Sequence, residues 1–361
     1  MPSLLNLARF IRYRHTLHTR SYHKYPIASM DLSCGFFHVI PVPCLKDNYA
    51  YLIADSDQGT AIIIDPSDSN TVLNVLQEKS LKPIAILNTH HHWDHTAGNT
   101  GLVQHYPGLS VYGSSTDFYG SNSSYARHTT HFVDDGHVLQ LGRATLKVIE
   151  TPCHTRGSVL FLLDLIKSLP FNIPESQKKA SAIPSSWDPN APCVFTGDTF
   201  MTAGCGRFFE AKSPYDMNLI STKTLGLIPK NANIFPGHEY AISNLTFAST
   251  MEPTNMAIQS KLSQAKQARE LNIPLVPTSW TEECSYNPYL RLDSKHRSKE
   301  LWDTILSKAE SVCLPRSNRT ILDAIKPDVL QHCAGLGLSG DIVDEVVAMG
   351  CLRALKDQFA Q

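Results

Sequence analysis

No CxxC pair occurs anywhere in the 361 residues, and the nine cysteines are scattered and odd in number. That argues against a Cys-based zinc finger or a disulfide scaffold and points to a reducing compartment. No run of about 18 apolar residues exists, so no helix is expected to span a membrane. An excess of one charge is missing too: 32 basic and 33 acidic side chains leave a net charge of −1, whereas a nucleic-acid binder usually shows a large basic excess. No Gly-x-Ser-x-Gly elbow is present, so the usual signal of a serine nucleophile is lacking. With 42% apolar and 18% charged residues the chain is globular rather than disordered. Its length suits two domains with a real core.

Acidic residues are absent from 1–30; the first is Asp31. The same stretch holds Arg9, Arg12, Arg14, Arg20 and Lys24 among Ser and Thr, which is the composition of a mitochondrial transit peptide. A matrix location follows as an expectation, with a cytosolic form starting at Met30. No secretory h-region is seen, because the early apolar stretch Leu4 to Ile11 is short and broken by Asn6 and Arg9.

From residue 36 short apolar or alternating runs separated by turn residues read as strands: 37–43, 50–54, 60–65, 84–89, 110–112, 138–141, 145–150, 159–163, 193–196 and 234–235. Helical spacing marks 69–79 and about 95–106. Strands in runs with helices interspersed predict an α+β fold, two sheets sandwiched between helices, over 36–251. Residues 165–192, with five prolines and many Ser and Lys, read as an exposed insertion. Beyond 252 the pattern is mainly helical, with helices expected at 238–249, 255–271, 298–312, 319–333 and 340–356.

Sixteen histidines are many for this length, and four of them crowd into Thr89-His90-His91-His92-Trp93-Asp94-His95. If the chain stays extended after the strand ending at Asn88, residues two apart share a face. His90, His92 and Asp94 then point one way and His91 the other, with His95 where the chain turns into a helix. Imidazoles and a carboxylate at this density suit zinc, iron or manganese. One loop cannot complete two coordination spheres. Three later strand ends supply what is missing: His154 in Thr-Pro-Cys-His-Thr, Asp198 in Thr-Gly-Asp-Thr and His238 in Gly-His-Glu-Tyr. Taken together they predict an edge that binds two metal ions. Asp65, ending the strand Ile62-Ile63-Ile64, is either an acceptor behind a metal-bound histidine or a plain turn residue before Pro66.

The His-x-His-x-Asp-His signature followed by these three motifs resembles the metallo-β-lactamase superfamily. Longer matches narrow the resemblance to the glyoxalase II (hydroxyacylglutathione hydrolase) family: Ala203-Gly204-Cys205-Gly206-Arg207-Phe208-Phe209-Glu210, Gly237-His238-Glu239-Tyr240, Tyr286-Asn287-Pro288-Tyr289, and Arg353-Ala354-Leu355-Lys356-Asp357-Gln358-Phe359. It covers about 38–293 apart from the insertion, and resumes at 353. The resemblance implies an αββα sandwich with a C-terminal helical substrate-binding domain. It implies two divalent ions, zinc first, with His90, His92 and His154 on one and Asp94, His95 and His238 on the other. Asp198 then bridges them, and a hydroxide held between the ions attacks the substrate.

The implied reaction is hydrolysis of S-(2-hydroxyacyl)glutathione, typically S-D-lactoylglutathione, to glutathione and D-lactate, the second step of methylglyoxal detoxification, by a monomer. Asp94 and Asp198 serve the catalytic centre. Arg353 and Lys356 would hold the glycine carboxylate; being three apart on a helix, they share a face. Arg207 stands where the family usually has Lys, and Tyr240 matches a glutathione-contacting Tyr. Phe209 replaces a Tyr whose hydroxyl contacts glutathione, a change that predicts a raised KM. The family gives neither Cys153 nor Cys205 a catalytic role. Residues 294–344 are much longer than the family's connection before the final helix; if they displaced that helix, Arg353 and Lys356 would lose their role. Two other readings share the fold: an iron-dependent glutathione-persulfide dioxygenase, which usually lacks the helical C-terminal domain, and a catalytically weakened relative with a regulatory role.

Overall fold

The computed structural model describes residues 30–32, 35–119, 128–164, 188–293, 295–315 and 317–359. The basic stretch 1–29 and most of the insertion, 165–187, lie outside the described residues. Two sheets pack face to face. The first has seven strands in sequential order: β1 (Met30–Asp31), β2 (Phe37–Cys44), β3 (Asn48–Asp55), β4 (Thr60–Ile64), β5 (Lys82–Leu87), β6 (Ser110–Ser114) and β7 (His131–Val133). Its first three pairings are antiparallel and the rest parallel. The second sheet runs β8 (Val138–Leu141), β9 (Ala144–Glu150), β10 (Val159–Leu163), β11 (Cys193–Gly197), β12 (Asn233–Pro236) and β13 (Thr278–Ser279), with β11 and β12 parallel.

Alternation along each strand explains the layers. In β3, Tyr49, Tyr51 and Ile53 point between the sheets, where they meet Leu146, Phe161, Phe195 and Phe235. Ala50, Leu52 and Ala54 point outward onto Val72, Val75 and Leu76 of α1 (Ser69–Glu78). Strands buried on both faces become near-continuous apolar runs, which is why β3 is buried along its whole length. On the far side of the second sheet, Leu160, Val194 and Ile234 pack against Ile220, Phe247, Trp280 and Leu352. The result is a helix–sheet–sheet–helix sandwich. The sheet begins at Met30, fully buried and paired with Val39, rather than at residue 36; a two-residue strand is too short to show alternation.

The expected helix near 95–106 is two pieces, α2 (Trp93–Thr96) and α3 (Asn99–His105), parted where the Gly98 amide donates to the Pro66 carbonyl at 2.8 Å. Further on come α4 (Ser115–Phe118), α5 (Pro214–Leu227), α6 (Ala241–Met251), α7 (Met256–Glu270), α8 (Trp280–Tyr286), α9 (Lys299–Ser311), α10 (Ile321–Gly335) and α11 (Asp341–Phe359). The long connection 294–344 folds into α9, α10 and the start of α11. Its Leu301, Ile305, Ala309, Ile321 and Val329 join the core around α11, so it packs on the final helix instead of displacing it.

Candidate metal centre

The histidine loop leaves β5 and crosses to the second sheet, where the Val159 amide donates to the Thr89 carbonyl at 2.9 Å. The chain bends at Thr89 and His90 rather than staying extended, yet His90 and His92 meet on one side while the His91 ring turns away to Asp117 and Glu210. The alternation stops there: α2 begins at Trp93, so Asp94 reaches the site from a helical turn, not from an extended strand.

Two triplets of ligand atoms form. His92 Nδ1 lies 3.1 Å from His90 Nε2 and 2.9 Å from His154 Nε2. In the second, His238 Nε2 lies 3.3 Å from His95 Nε2 and 3.5 Å from Asp94 Oδ2. Asp198 stands between them. Its Oδ2 is 3.4 Å from His154 Nε2, and its Oδ1 is 3.3 Å from the Nε2 atoms of both His95 and His238. That Oδ1 is buried yet meets no donor at a bonding angle, so the surrounding atoms aim at common centres rather than at one another. A Cβ on Gly237 would meet His95 Cε1 at 2.6 Å and Asp198 Oδ1 at 2.8 Å; only glycine leaves this space open.

Five of the seven candidate ligands are held from behind. His95 Nδ1 donates to Asp65 Oδ2 at 2.9 Å. Asp65 also accepts from the Thr89 amide at 2.8 Å and the Thr89 hydroxyl at 2.6 Å, so it is an orienting acceptor and more than a turn residue. The Thr89 hydroxyl in turn lies 3.1 Å from His90 Nδ1, leaving Nε2 bare toward the site. His154 Nδ1 donates to the Arg207 carbonyl at 2.8 Å, and His238 Nδ1 to Asp47 at 2.9 Å. Asn48 donates to Asp94 Oδ2 at 3.2 Å. Such partners fix the tautomer and orientation of a ligating imidazole.

The electrostatics match. Burial, then the neighbouring imidazoles, pushes His90 well below the usual histidine range and His92 down to about 4. Burial also lowers His154 against the pull of Asp198. The first triplet is therefore three neutral imidazoles with free lone pairs, the form that binds a metal. In the second triplet burial opposes charge on His238, but Asp198, Asp47 and Asp94 raise it to about 10. Asp198 and Asp65 likewise raise His95 against its burial. Asp198 stays ionised in spite of burial because His238, His95 and His154 surround it. Asp94 and Asp198 call for positive charge at the centre, which a divalent ion would supply. Residues and chemistry thus fit two metal ions.

A cavity of about 580 Å³ opens above this floor, and Arg207, Phe209, Tyr240, Arg353 and Lys356 all line it. The Tyr240 ring stacks on His238 with centroids 4.8 Å apart. Arg353 donates to Asp357 at 2.7 Å and to the Cys205 carbonyl at 3.2 Å. Arg207 Nε lies 3.3 Å from the same Asp357 oxygen. Lys356 donates to the Ser243 carbonyl at 3.2 Å. Burial raises the Cys205 thiol to about 12 and Cys153 well above the ordinary range, so neither supplies a thiolate nucleophile. Asp47, Asn48, Asp117 and Asp357 are site residues that sequence reasoning missed. Asp47-Asn48 reads as hairpin-turn chemistry, and nothing local links any of the four to the histidines.

Two stacked sheets, outer helices and a His/Asp site for two metal ions at one edge place the chain in the metallo-β-lactamase superfamily, whose family model matches residues 46–164. A second model, described as hydroxyacylglutathione hydrolase C-terminus, matches 239–359. The chain is 36% identical over 264 residues to the cytoplasmic hydroxyacylglutathione hydrolase of Arabidopsis thaliana, covering 73% of this chain and 91% of that protein. It is 33% identical over 285 residues to a hydroxyacylglutathione hydrolase-like protein of Gallus gallus, covering 79% and 89%. The crystal structure of ETHE1 from Myxococcus xanthus aligns with a TM-score of 0.46 and 20% identity over 84% of this chain and 98% of that one. The chain belongs to the hydroxyacylglutathione hydrolase family.

Proposed function

We propose that the protein hydrolyses S-(2-hydroxyacyl)glutathione thioesters, S-D-lactoylglutathione being the typical case, to glutathione and a 2-hydroxy acid. The observation that carries this reading is the pair of ligand triplets sharing Asp198 beneath a cleft walled by Arg353 and Lys356. In this reading His90, His92 and His154 hold one divalent ion, Asp94, His95 and His238 the other, and Asp198 both. Imidazole and carboxylate donors suit zinc, iron and manganese alike, and we propose zinc. When bound, such a pair of ions lowers the pKa of water and polarises a carbonyl oxygen.

The chain's own residues do the rest. Glutathione carries two carboxylates, so its thioester needs cationic anchors. Arg353 and Lys356 provide them on one face of α11, and Arg207 adds a third cation at the rim. Tyr240, set by its stacking on His238 and a 3.2 Å hydrogen bond to Asp47, holds the thiol half beside the floor. Hydrolysis then adds water across the carbon–sulfur bond: oxygen goes to the acyl carbon, and the thiolate leaves and takes a proton. Asp65, Asp47 and Asn48 keep the reacting edge fixed meanwhile, so little reorganisation accompanies reaction.

The basic, acid-free composition of 1–30 supports a matrix location, with a cytosolic form starting at Met30. Among the described residues no helix is long and apolar enough to cross a membrane. A place as second step of methylglyoxal detoxification goes with this substrate. Ultraviolet absorbance of the thioester bond tests the reading, with metal analysis on the same sample. Loss of S-D-lactoylglutathione matched by free glutathione and D-lactate is the expected result. A preparation with two metal ions per chain that leaves the thioester intact, or that consumes oxygen with glutathione persulfide, overturns it.

A further inference from the structure

The segment from Arg207 to Glu210 carries two of the residues that line the cleft, and its two ends are fastened differently. At the near end the Gly206 amide donates to the Asp198 carbonyl at 2.8 Å, and the Arg207 carbonyl accepts from His154 Nδ1 at 2.8 Å. At the far end Glu210 Oε2 accepts from the Arg156 amide at 2.9 Å, and Oε1 stands 3.5 Å from His91 Nε2. Between them Phe209 is 59% exposed. Its ring centroid lies 5.7 Å from that of His92 and 5.3 Å from that of His154. A half-open ring of this kind has little packing of its own to fix it.

What Glu210 grips is itself firm. His91 Nδ1 is 3.2 Å from Asp117, a buried carboxylate that also accepts from the His91 amide at 3.0 Å, the Thr155 hydroxyl at 2.7 Å and the Gly157 amide at 2.7 Å. Asp117 thus ties the loop after β5 to the loop after β9. Gly157 makes room for it, since a Cβ there would meet Asp117 Oδ1 at 2.5 Å. We infer that Glu210 is a positioning residue that pins Phe209 over the first ligand triplet, through Arg156 and His91, and so sets the substrate side of the cleft without touching the metal floor. This gives His91, which faces away from both triplets, a task. The inference rests on the thioesterase reading for its kinetic arm alone.

The test uses the full chain loaded with metal, as wild type, E210A and E210Q. For E210A the KM for S-D-lactoylglutathione should rise about threefold or more, because the Phe209 ring is no longer held in place for the substrate, with kcat within about twofold. Metal content should stay at the wild-type value. Amide hydrogen exchange should quicken at Arg156 and over 207–211, and nowhere else. E210Q keeps a carbonyl oxygen for the Arg156 amide and should recover most of the protection and of the KM. In an F209A background, E210A should add little to KM, because the effect passes through the ring. Unchanged exchange at Arg156 and 207–211 overturns the inference whatever the kinetics, as does loss of metal or of kcat alongside KM. If wild type fails to hydrolyse the thioester, the functional reading falls, and the exchange arm still decides for or against Glu210.

Discussion

On the floor of the cleft most side chains are backed from behind: His95 by Asp65, His238 by Asp47, His154 by the Arg207 carbonyl and Asp94 by Asn48. On the wall the groups lean on one another or on a neighbouring helix, Arg353 and Arg207 on a shared Asp357 and Lys356 on Ser243 of α6. The floor is mostly buried, with His92 and Asp94 partly open, and its partners sit at strand ends and in loops. The wall is a helix face and a loop, with Phe209 and Tyr240 open to solvent. The difference separates two jobs. Fixed geometry and controlled protonation belong to the floor, while binding of a flexible tripeptide belongs to the wall, where Arg353 and Lys356 are buried and Phe209 and Tyr240 are open.

Mutation should therefore split kcat from KM along the same line. Asp198→Asn has the largest expected effect, because it blunts the one carboxylate that faces both triplets. We expect kcat to fall by more than the roughly 10–100-fold that loss of an outer partner costs, with metal content reduced. Elemental analysis beside steady-state rates checks this; near-normal kcat with two ions bound would erase the floor's special status. Asp65→Asn removes one of the oxygens that orient His95 and Thr89. About tenfold in metal affinity or kcat is expected, with KM little changed.

Lys356→Ala tests the wall. Its ammonium is one of two cations on the α11 face, and the loss of one charge-assisted contact should raise KM about tenfold with kcat unchanged, the pattern of uniform binding. Protonation provides the same test without mutation. Burial, then the neighbouring Arg353 charge, lowers the Lys356 pKa to about 8. The ammonium is thus present below pH 8 and lost above it, so wild-type KM should climb as pH rises through 8. The Lys356→Ala enzyme should show no such limb; a limb of equal size in both would assign it to another group.

The same division decides what is legible in the amino-acid sequence. Ligands on the floor follow strand ends at fixed local spacing, so His90, His92, Asp94, His95, His154, Asp198 and His238 stand out in one dimension. Their supports do not. Asp47 and Glu210 are ordinary acidic residues in turns and loops, Asp117 one in the four-residue α4, and packing of the two sheets brings them to the histidines from as far away as 191 positions. Amphipathic α9 and α10 declare themselves by spacing, whereas the apolar residues of α5 do not gather on one stripe. Its Ser213 cap followed by Pro214 is the signal that marks its start. The capping box of Ser279 and Glu282 likewise marks α8. Strands of two or three residues, β1, β7 and β13, are shorter than any periodicity.

Phe209 makes the smallest and most informative change. It sits where floor and wall meet, its ring beside His92 and His154 and lining the cavity. Phe209→Tyr adds one hydroxyl and nothing else. If that hydroxyl reaches the bound thiol half, one more hydrogen bond forms, and KM should fall by about 2–12-fold, the equivalent of roughly 0.5–1.5 kcal/mol. Because the floor is untouched, kcat should hold. A hydroxyl that instead turned to the imidazoles would disturb the first triplet, lowering kcat and metal content together. Steady-state kinetics on this one variant therefore reports which region the position belongs to.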